Sequence, residues 1–247
     1  MKLKSIIVIL LLMLSGLQTA WAQKIILHMP NNQKVEYEIS QLDSITFVDE
    51  DKVPTFLNCP DDRHPHAIDL GLPSGTKWAC CNVGASKPEE SGGYYAWGET
   101  SEKSVYNWDT YAYYNEDTGI VNIGSDIAGT DYDAATVNMG KPWRMPSLEQ
   151  QQEIMNNCSH QWMRQNGVNG ILVTGQNGGQ IFLPATGYRW DADLCAPGMY
   201  NDSDYWSSSF YPNNDYLAYD MYFHSGVWYY TYWGIRSSGQ SVRAVCP

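Results

Sequence analysis

Between residues 217 and 233 the chain carries an alternation that commits it to paired strands. Leu217, Tyr219, Met221 and Phe223 interleave with Ala218, Asp220, Tyr222 and His224, the two-residue period of a strand with one buried and one wet face. Asp220 and His224 are expected on the polar side. Ser225-Gly226 offers a tight turn into Val227–Trp233, and Ser237-Ser238-Gly239 a second turn into Ser241–Cys246. The C-terminal third therefore reads as an antiparallel meander beginning at about Tyr205. Tyr229, Tyr230 and Tyr232 fall along its next strand, so at least one face presents rings outward unless another layer covers it.

Upstream the pattern gives more short strands and little helix. Gly170–Gly175 and Gln180–Pro184 are expected to form a hairpin through Gln176-Asn177-Gly178-Gly179, because Asn-Gly suits the backbone of a tight turn. Ala67–Leu70 and Lys77–Val83 read as strands around the turn Leu72-Pro73-Ser74-Gly75, and Gly93–Trp97 as a third, ring-rich run. One helix has full start chemistry: Ser147 as cap, Gln150 as its box partner, Glu149 at the positive end, and Leu148 and Met155 on one face, ending near Asn157. A shorter helix is expected around Asp133–Asn138, where Ala134 and Ala135 tolerate close packing. From Gly98 to Asp133 no period survives, which predicts a functional loop region or an irregular ligand-binding lobe.

The start of the chain sets the compartment. Lys2 and Lys4, the apolar run Ile6–Leu17 and Ala20-Trp21-Ala22 make residues 1–22 an export signal, with the mature chain beginning near Gln23. The apolar run falls short of the about 20 residues a spanning helix needs, so no transmembrane segment is expected after cleavage. Lys24–Met29, Val35–Ile39 and Ser44–Val48 are short β-patterned runs, making 23–49 a small hairpin-based unit, with 50–59 a linker and 60–247 the main domain. Hydrophobic residues at 43% are enough for a core, and 15 Lys and Arg against 27 Asp and Glu give a net charge of −12. Such a chain repels a phosphate backbone, so no nucleic-acid partner is expected.

The cysteines Cys59, Cys80, Cys81, Cys158, Cys195 and Cys246 are disulfide candidates in an exported chain, with free buried thiols as the alternative. Cys59 and Cys246 flank the main domain and could tie its ends. The spacing contains no C-x-x-C pair, so neither a zinc ribbon nor a thioredoxin-like site is encoded. Cys80 and Cys81 are adjacent on an expected strand and should face opposite sides. His64-Pro65-His66 reads as a pair of surface histidines, with metal binding as the sharper alternative. No metal ligand is assigned.

Several runs together resemble the Fibrobacter succinogenes major paralogous domain. They are His66-Ala67-Ile68-Asp69-Leu70-Gly71-Leu72-Pro73-Ser74-Gly75-Thr76-Lys77-Trp78-Ala79, Asn82-Val83-Gly84-Ala85, Tyr95-Ala96-Trp97-Gly98-Glu99-Thr100, Trp143-Arg144-Met145-Pro146-Ser147, Phe182-Leu183-Pro184-Ala185, Tyr205-Trp206-Ser207-Ser208-Ser209 and Ser241-Val242-Arg243. The resemblance covers about 60–247 in consistent order. It implies a C-type-lectin-like α+β fold, with one or two helices on twisted antiparallel strands and long loops at one edge, in a protein exported by a Gram-negative bacterium. The leading hairpin resembles a short element common in the same exported proteins. Trp78, Trp97, Trp143 and Trp206 then belong to the scaffold, and Arg144 and Arg243 make buried hydrogen bonds to loop carbonyls or carboxylates. The formylglycine-generating relatives use a closely spaced cysteine pair near the C-terminus; here Cys195 and Cys246 lie far apart, so oxidase activity is not carried over.

Lectins of this fold hold calcium through carboxylates and amides. Asn201-Asp202-Ser203-Asp204 and Pro212-Asn213-Asn214-Asp215 could supply such ligands, but the Glu-Pro-Asn and Trp-Asn-Asp tripeptides of sugar-binding lectins are missing, so no cofactor is assigned and calcium stays an option. Carbohydrate binding without metal needs exposed rings and a few orienting polar groups. Trp190, Tyr200, Trp228 and Trp233, with Asp191, Asp202, Asp204, Asn213, Asn214 and Asp215, are the candidates. No catalytic residue is assigned, because no nucleophile elbow, zinc-protease or nucleotide-loop motif is present. The expectation is an exported, non-enzymatic module in the periplasm, on the cell surface or secreted, recognising glycan or protein. The alternatives are a structural or assembly subunit of a cell-surface or fimbrial complex, and an enzyme of unknown type.

Overall fold

A computed structural model describes residues 24–28, 34–38, 63–195, 203–225 and 227–247. Residues 1–22, expected as an export signal, the run Ser44–Val48, the expected 50–59 linker, Cys59, Tyr200 and Asp202 lie outside the described residues. The chain divides into two compact units, Met1–Val53 and Pro54–Pro247. In the first, β1 (Lys24–His28) pairs antiparallel with β2 (Lys34–Glu38), with Leu27 opposite Val35. This is the hairpin that the alternation predicts.

In the second unit β3 (Ala67–Asp69) pairs with β4 (Lys77–Ala79) around a turn closed by the Gly75 N–H on the Leu72 carbonyl at 2.9 Å. The segment that follows contains a short 3-10 turn, Trp108–Thr110, and a small ribbon of β5 (Tyr114–Asn115) and β6 (Gly119–Ile120). Then come α1 (Ala134–Met139) and α2 (Leu148–Asn157), the antiparallel β7 (Ser159–Gln165), β8 (Val168–Thr174) and β9 (Gln180–Pro184), and a second ribbon of β10 (Tyr188–Trp190) and β11 (Asp193–Cys195). A meander of β12 (Ser203–Phe210), β13 (Leu217–His224) and β14 (Val227–Ile235) precedes β15 (Val245–Cys246). Antiparallel sheets with two α-helices among the described residues make this an α+β architecture.

The helix ends are set by local chemistry. The Ser147 hydroxyl accepts from the Gln150 N–H while the Gln150 side chain accepts from the Ser147 N–H, which closes the expected capping box of α2. Asp133 starts α1: one carboxylate oxygen accepts from the Ala135 and Thr136 N–H groups and the other from Gly129 and Met145. Each such cap contributes about 1 kcal/mol.

Four strand expectations are corrected. Lys77–Val83 is a strand only as far as Ala79, after which the chain bends at Cys80-Cys81. Gly93–Trp97 makes a single bridge, Tyr95 to Gln240, rather than a strand. Ser241–Cys246 does not extend the meander; Val245 and Cys246 pair instead with Trp78 and Lys77 of β4, a long-range partner that no local turn specifies. Finally, β13 has no polar face. It is the middle strand of its sheet, its register with β14 shifts between Asp220 and Tyr222, and Ala218, Asp220 and Met221 are all buried. A bulge breaks the two-residue phase, so side chains on both sides of it turn inward.

Three clusters form the interior. The first joins Ile68, Trp78, Ile154, Ile171, Leu183, Tyr205 and Phe223, tying β3 and β4 to α2, β8, β9 and the meander. The second gathers Trp97, Ile127, Ala134, Met145, Trp206 and Val242, with Trp143 packed beside it. Here the signature residues serve as structure. The Trp206 indole N–H donates to the Tyr95 carbonyl at 2.8 Å and the Trp97 indole to the Ser207 carbonyl at 2.9 Å. Buried Arg243 donates to Asn82 Oδ1 and to the carbonyls of Ala79, Cys80 and Phe182. Arg144 is half-buried and donates to Gln150 Oε1 at 2.8 Å. The third cluster, Tyr94, Ala96, Tyr106 and Tyr111 with Trp108, Tyr113, Tyr114 and Ile120 against it, organises the stretch in which no sequence period is visible.

Candidate ligand-binding surface

The irregular stretch after Gly98 and the turn between β12 and β13 share one surface, and Arg236 holds them together. Its guanidinium is buried 4.6 Å from the Trp97 ring centre, a desolvated cation–π contact. Nε donates to Tyr111 Oη at 3.0 Å, Nη1 to the Asp215 carbonyl at 3.1 Å and Nη2 to the Val121 carbonyl at 3.5 Å. The Ile127 N–H donates to the Ser208 carbonyl, the Phe210 N–H to the Ser125 carbonyl, and the Trp108 and Tyr216 rings meet edge-on at 5.1 Å. Between the two segments lies a pocket of about 90 Å³ lined by Ile120, Asn122, Gly124, Phe210, Asp215 and Arg236. Sites that enclose a small-molecule ligand begin at about 300 Å³, so anything larger than a few atoms lies across this surface rather than inside it.

Beside the pocket runs a band of rings. Tyr216, Tyr232 and Trp233 are 44%, 47% and 43% exposed. Contacts pass from Tyr219 to Tyr211 at 5.1 Å, from Tyr211 to Trp233 at 6.2 Å, from Trp233 to Tyr232 at 5.6 Å and from Tyr232 to Tyr222 at 5.3 Å. The Tyr232 and Trp233 ring planes differ by 2°. Such rings offer flat apolar faces with polar edges.

The predicted site residues divide. Trp233 stands in the band, and Asn213, Asn214 and Asp215 are exposed on the adjoining turn, where Asn214 Oδ1 accepts from the Tyr216 N–H at 3.0 Å. Asp215 also lines the pocket. Asp191 is exposed at φ 50°, exchanges backbone hydrogen bonds with Tyr106 and accepts from Asn107 Nδ2 at 2.8 Å, so it anchors the irregular segment. Trp190 is half-buried in β10. Asp204 is corrected: it is buried in β12 and is not displayed on a loop. The Trp228 side chain, Tyr200 and Asp202 lie outside the description. Asp204 and Asp215 belong to no group of three acidic, histidine or cysteine side chains close enough to share an ion among the described residues. Tyr211, Tyr216, Tyr219 and Arg236 were not singled out from sequence. The alternation of β13 placed Tyr219 with Leu217, Met221 and Phe223 away from the expected polar side, while Arg236 acts through contacts more than a hundred residues away.

Asp220 is the most perturbed acid. Burial beneath the meander pushes its carboxyl up to about 7, against one lowering hydrogen bond from Gln240 Nε2 at 2.8 Å, and its Oδ1 has no partner. A Cβ at Gly234 would collide with Gln240, Asp220 and Trp206, so only glycine lets β14 approach this pair. Asp220 does not line the pocket.

The disulfide expectation is corrected for the described cysteines: Cys80, Cys81, Cys158, Cys195 and Cys246 form no disulfide, and Cys59 lies outside the description. Cys158 caps the end of α2, Cys195 ends β11 and Cys246 sits in β15, each fixed by its own element. Burial raises the Cys158 thiol to about 11. Consecutive Cα atoms stand about 3.8 Å apart, closer than a relaxed disulfide allows, which disfavours a bridge within Cys80-Cys81. Their expected opposite orientation is also corrected. The strand stops at Ala79, and hydrogen bonds from Cys81, the His66 amide and the imidazoles of His64 and His66 outweigh burial and lower the Cys80 thiol to about 4.

No family model matches the chain, and no curated protein or solved structure matches it. No helix among the described residues is long and apolar enough to cross a membrane.

Proposed function

We propose that this protein is an exported, non-catalytic binding module of the Fibrobacter succinogenes major paralogous domain type, C-type-lectin-like in fold, that recognises glycan across the Tyr216–Tyr232–Trp233 surface. The observation that carries this reading is the exposed, stacked Tyr232–Trp233 pair, linked through Tyr211, together with exposed Tyr216 next to the polar turn Asn213–Asp215. A sugar presents an apolar face that stacks on such rings and a rim of hydroxyls that neighbouring amides and carboxylates orient. Export rests on the leader pattern of residues 1–22. The test is a glycan array probed with the mature chain, calcium supplied in one arm and withheld in the other. The expected result is binding to a defined glycan in both arms, weakened about tenfold by Trp233→Ala, the equivalent of about 1.4 kcal/mol. Binding that survives combined loss of Tyr216, Tyr232 and Trp233, or no binding to any glycan, contradicts it.

A second reading, an assembly subunit, draws on the separate two-stranded sheet of β1 and β2. A lone pair of strands is marginal, and pairing at its edge with another chain would complete it. Polymer or complex formation lost on deletion of residues 23–49 supports that reading instead.

A further inference from the structure

We propose that His64, His66, Cys80 and Cys81 form a tetrahedral binding site for a zinc ion. The Cys80 sulfur lies 3.2 Å from His64 Nδ1 and 3.7 Å from His66 Nδ1. The ligand atoms of His64, Cys80 and Cys81 all fall within 4.8 Å of one another. With zinc–sulfur bonds of about 2.3 Å and zinc–nitrogen bonds of about 2.0–2.1 Å, a regular tetrahedron has nitrogen–sulfur edges of about 3.5 Å and a sulfur–sulfur edge of about 3.8 Å. The two nitrogen–sulfur separations at Cys80 bracket that edge; His64, Cys80 and Cys81 already form one cluster, and His66, which stands outside it, completes the fourth vertex by a side-chain rotation. The two imidazoles stand edge to face with centroids 5.2 Å apart, as two ligands on neighbouring vertices do.

The surroundings fit a bound thiolate. The His66 N–H donates to the Cys80 sulfur at 3.1 Å, a contact of the outer layer that orients metal ligands, while the Cys81 thiol donates to the Ala85 carbonyl at 3.5 Å, a bond it gives up with its proton on binding the ion. Both cysteines are buried and both histidines half-buried, which closes the site on the sulfur side and leaves an entry path on the imidazole side. Two thiolates and two neutral imidazoles around a divalent ion carry no net charge, so the filled site can be buried at little electrostatic cost. Sulfur and imidazole donors favour zinc over the hard calcium ion. The ion would tie residues 64–66 to the bend after β4, where the Cys80 N–H already donates to the His66 carbonyl at 3.0 Å and the Cys80 carbonyl accepts from Arg243.

The test uses the mature chain, reduced and stripped of metal, titrated with zinc ions against a chromophoric chelator and separately with cobalt(II). The expected result is one zinc per chain and a cobalt spectrum with the sulfur-to-metal charge-transfer and intense visible bands of tetrahedral sulfur–nitrogen coordination. Cys80→Ser and His64→Ala should each weaken zinc binding by about a hundredfold or more, while Cys158→Ser leaves it unchanged. Should Cys80→Ser fail to fold, the cobalt spectrum of the unaltered chain decides alone. Absence of sulfur charge transfer, zinc affinity unchanged in a folded Cys80→Ser variant, or a Cys80–Cys81 disulfide in freshly isolated protein would overturn the proposal. Its failure leaves the glycan reading standing, because that surface uses none of these residues.

Discussion

Two regions of this molecule are built from the same kinds of side chain and use them in opposite ways. In the framework, Trp97 and Trp206 are buried, each indole N–H holding a main-chain carbonyl of another segment, and Arg243 donates to Asn82 and to carbonyls of β4, the bend after it and β9. In the display region, Tyr216, Tyr232 and Trp233 touch mainly other rings and keep large parts of their faces in water. An aromatic-rich composition therefore decides nothing by itself. What separates Trp97 and Trp206 from the display rings is burial together with a polar edge tied to distant backbone; Trp78 is buried as deeply with no partner for its indole N–H, held by packing alone. Arg236 links the two regions, lying against Trp97 while holding the carbonyls of Val121 and Asp215.

The contrast can be broken most easily from the framework side. Trp206→Ala should cost about 3–5 kcal/mol by cavity formation, and Arg243→Ala should cost a similar amount by leaving buried acceptors unpaired; urea denaturation measures both. A Trp206→Ala variant of normal stability would mean that the signature residues are not the scaffold.

Asp220 comes next. Its folded pKa of about 7 lies above the ordinary carboxyl value of 3.8. The stability it contributes is therefore complete below about pH 4 and is lost as pH rises through about 7. Relative to Asp220→Asn, whose amide oxygen still accepts from Gln240, the unaltered chain should lose about 2–4 kcal/mol across that window. Parallel unfolding curves for the two proteins from pH 4 to 8 would contradict the burial of that carboxyl. Ser147→Ala, which removes only the α2 cap, should cost about 1 kcal/mol in the same denaturation experiment. Trp233→Ala should change stability by less than about 0.5 kcal/mol, and a larger loss would move Trp233 into the framework.

Signals confined to neighbouring residues were legible in the sequence. The Ser147–Gln150 box and the Asn177-Gly178 turn joining β8 to β9 each specify their element with contacts a few residues apart, whereas the cap that Asp133 gives α1 shows only in the structure. The scaffold roles of Trp206 and Arg243 were legible as well, through the motifs that contain them. What could not be read depends on distant partners. The bulge in β13 shows only against β14, the end strand Val245–Cys246 finds β4, and the irregular stretch is organised by tyrosines that follow no period. The convergence of His64 and His66 on Cys80 and Cys81 follows from the bend that ends β4 at Ala79, and an alternating pattern hides such a bend.

Hydrogen exchange of the indole N–H groups, resolved by assigned NMR signals, tests the division between framework and display most directly. The account predicts that Trp97 and Trp206 exchange only through global unfolding, while Trp233 exchanges as soon as the protein meets heavy water. Rapid exchange at Trp206 together with strong protection at Trp233 would contradict it.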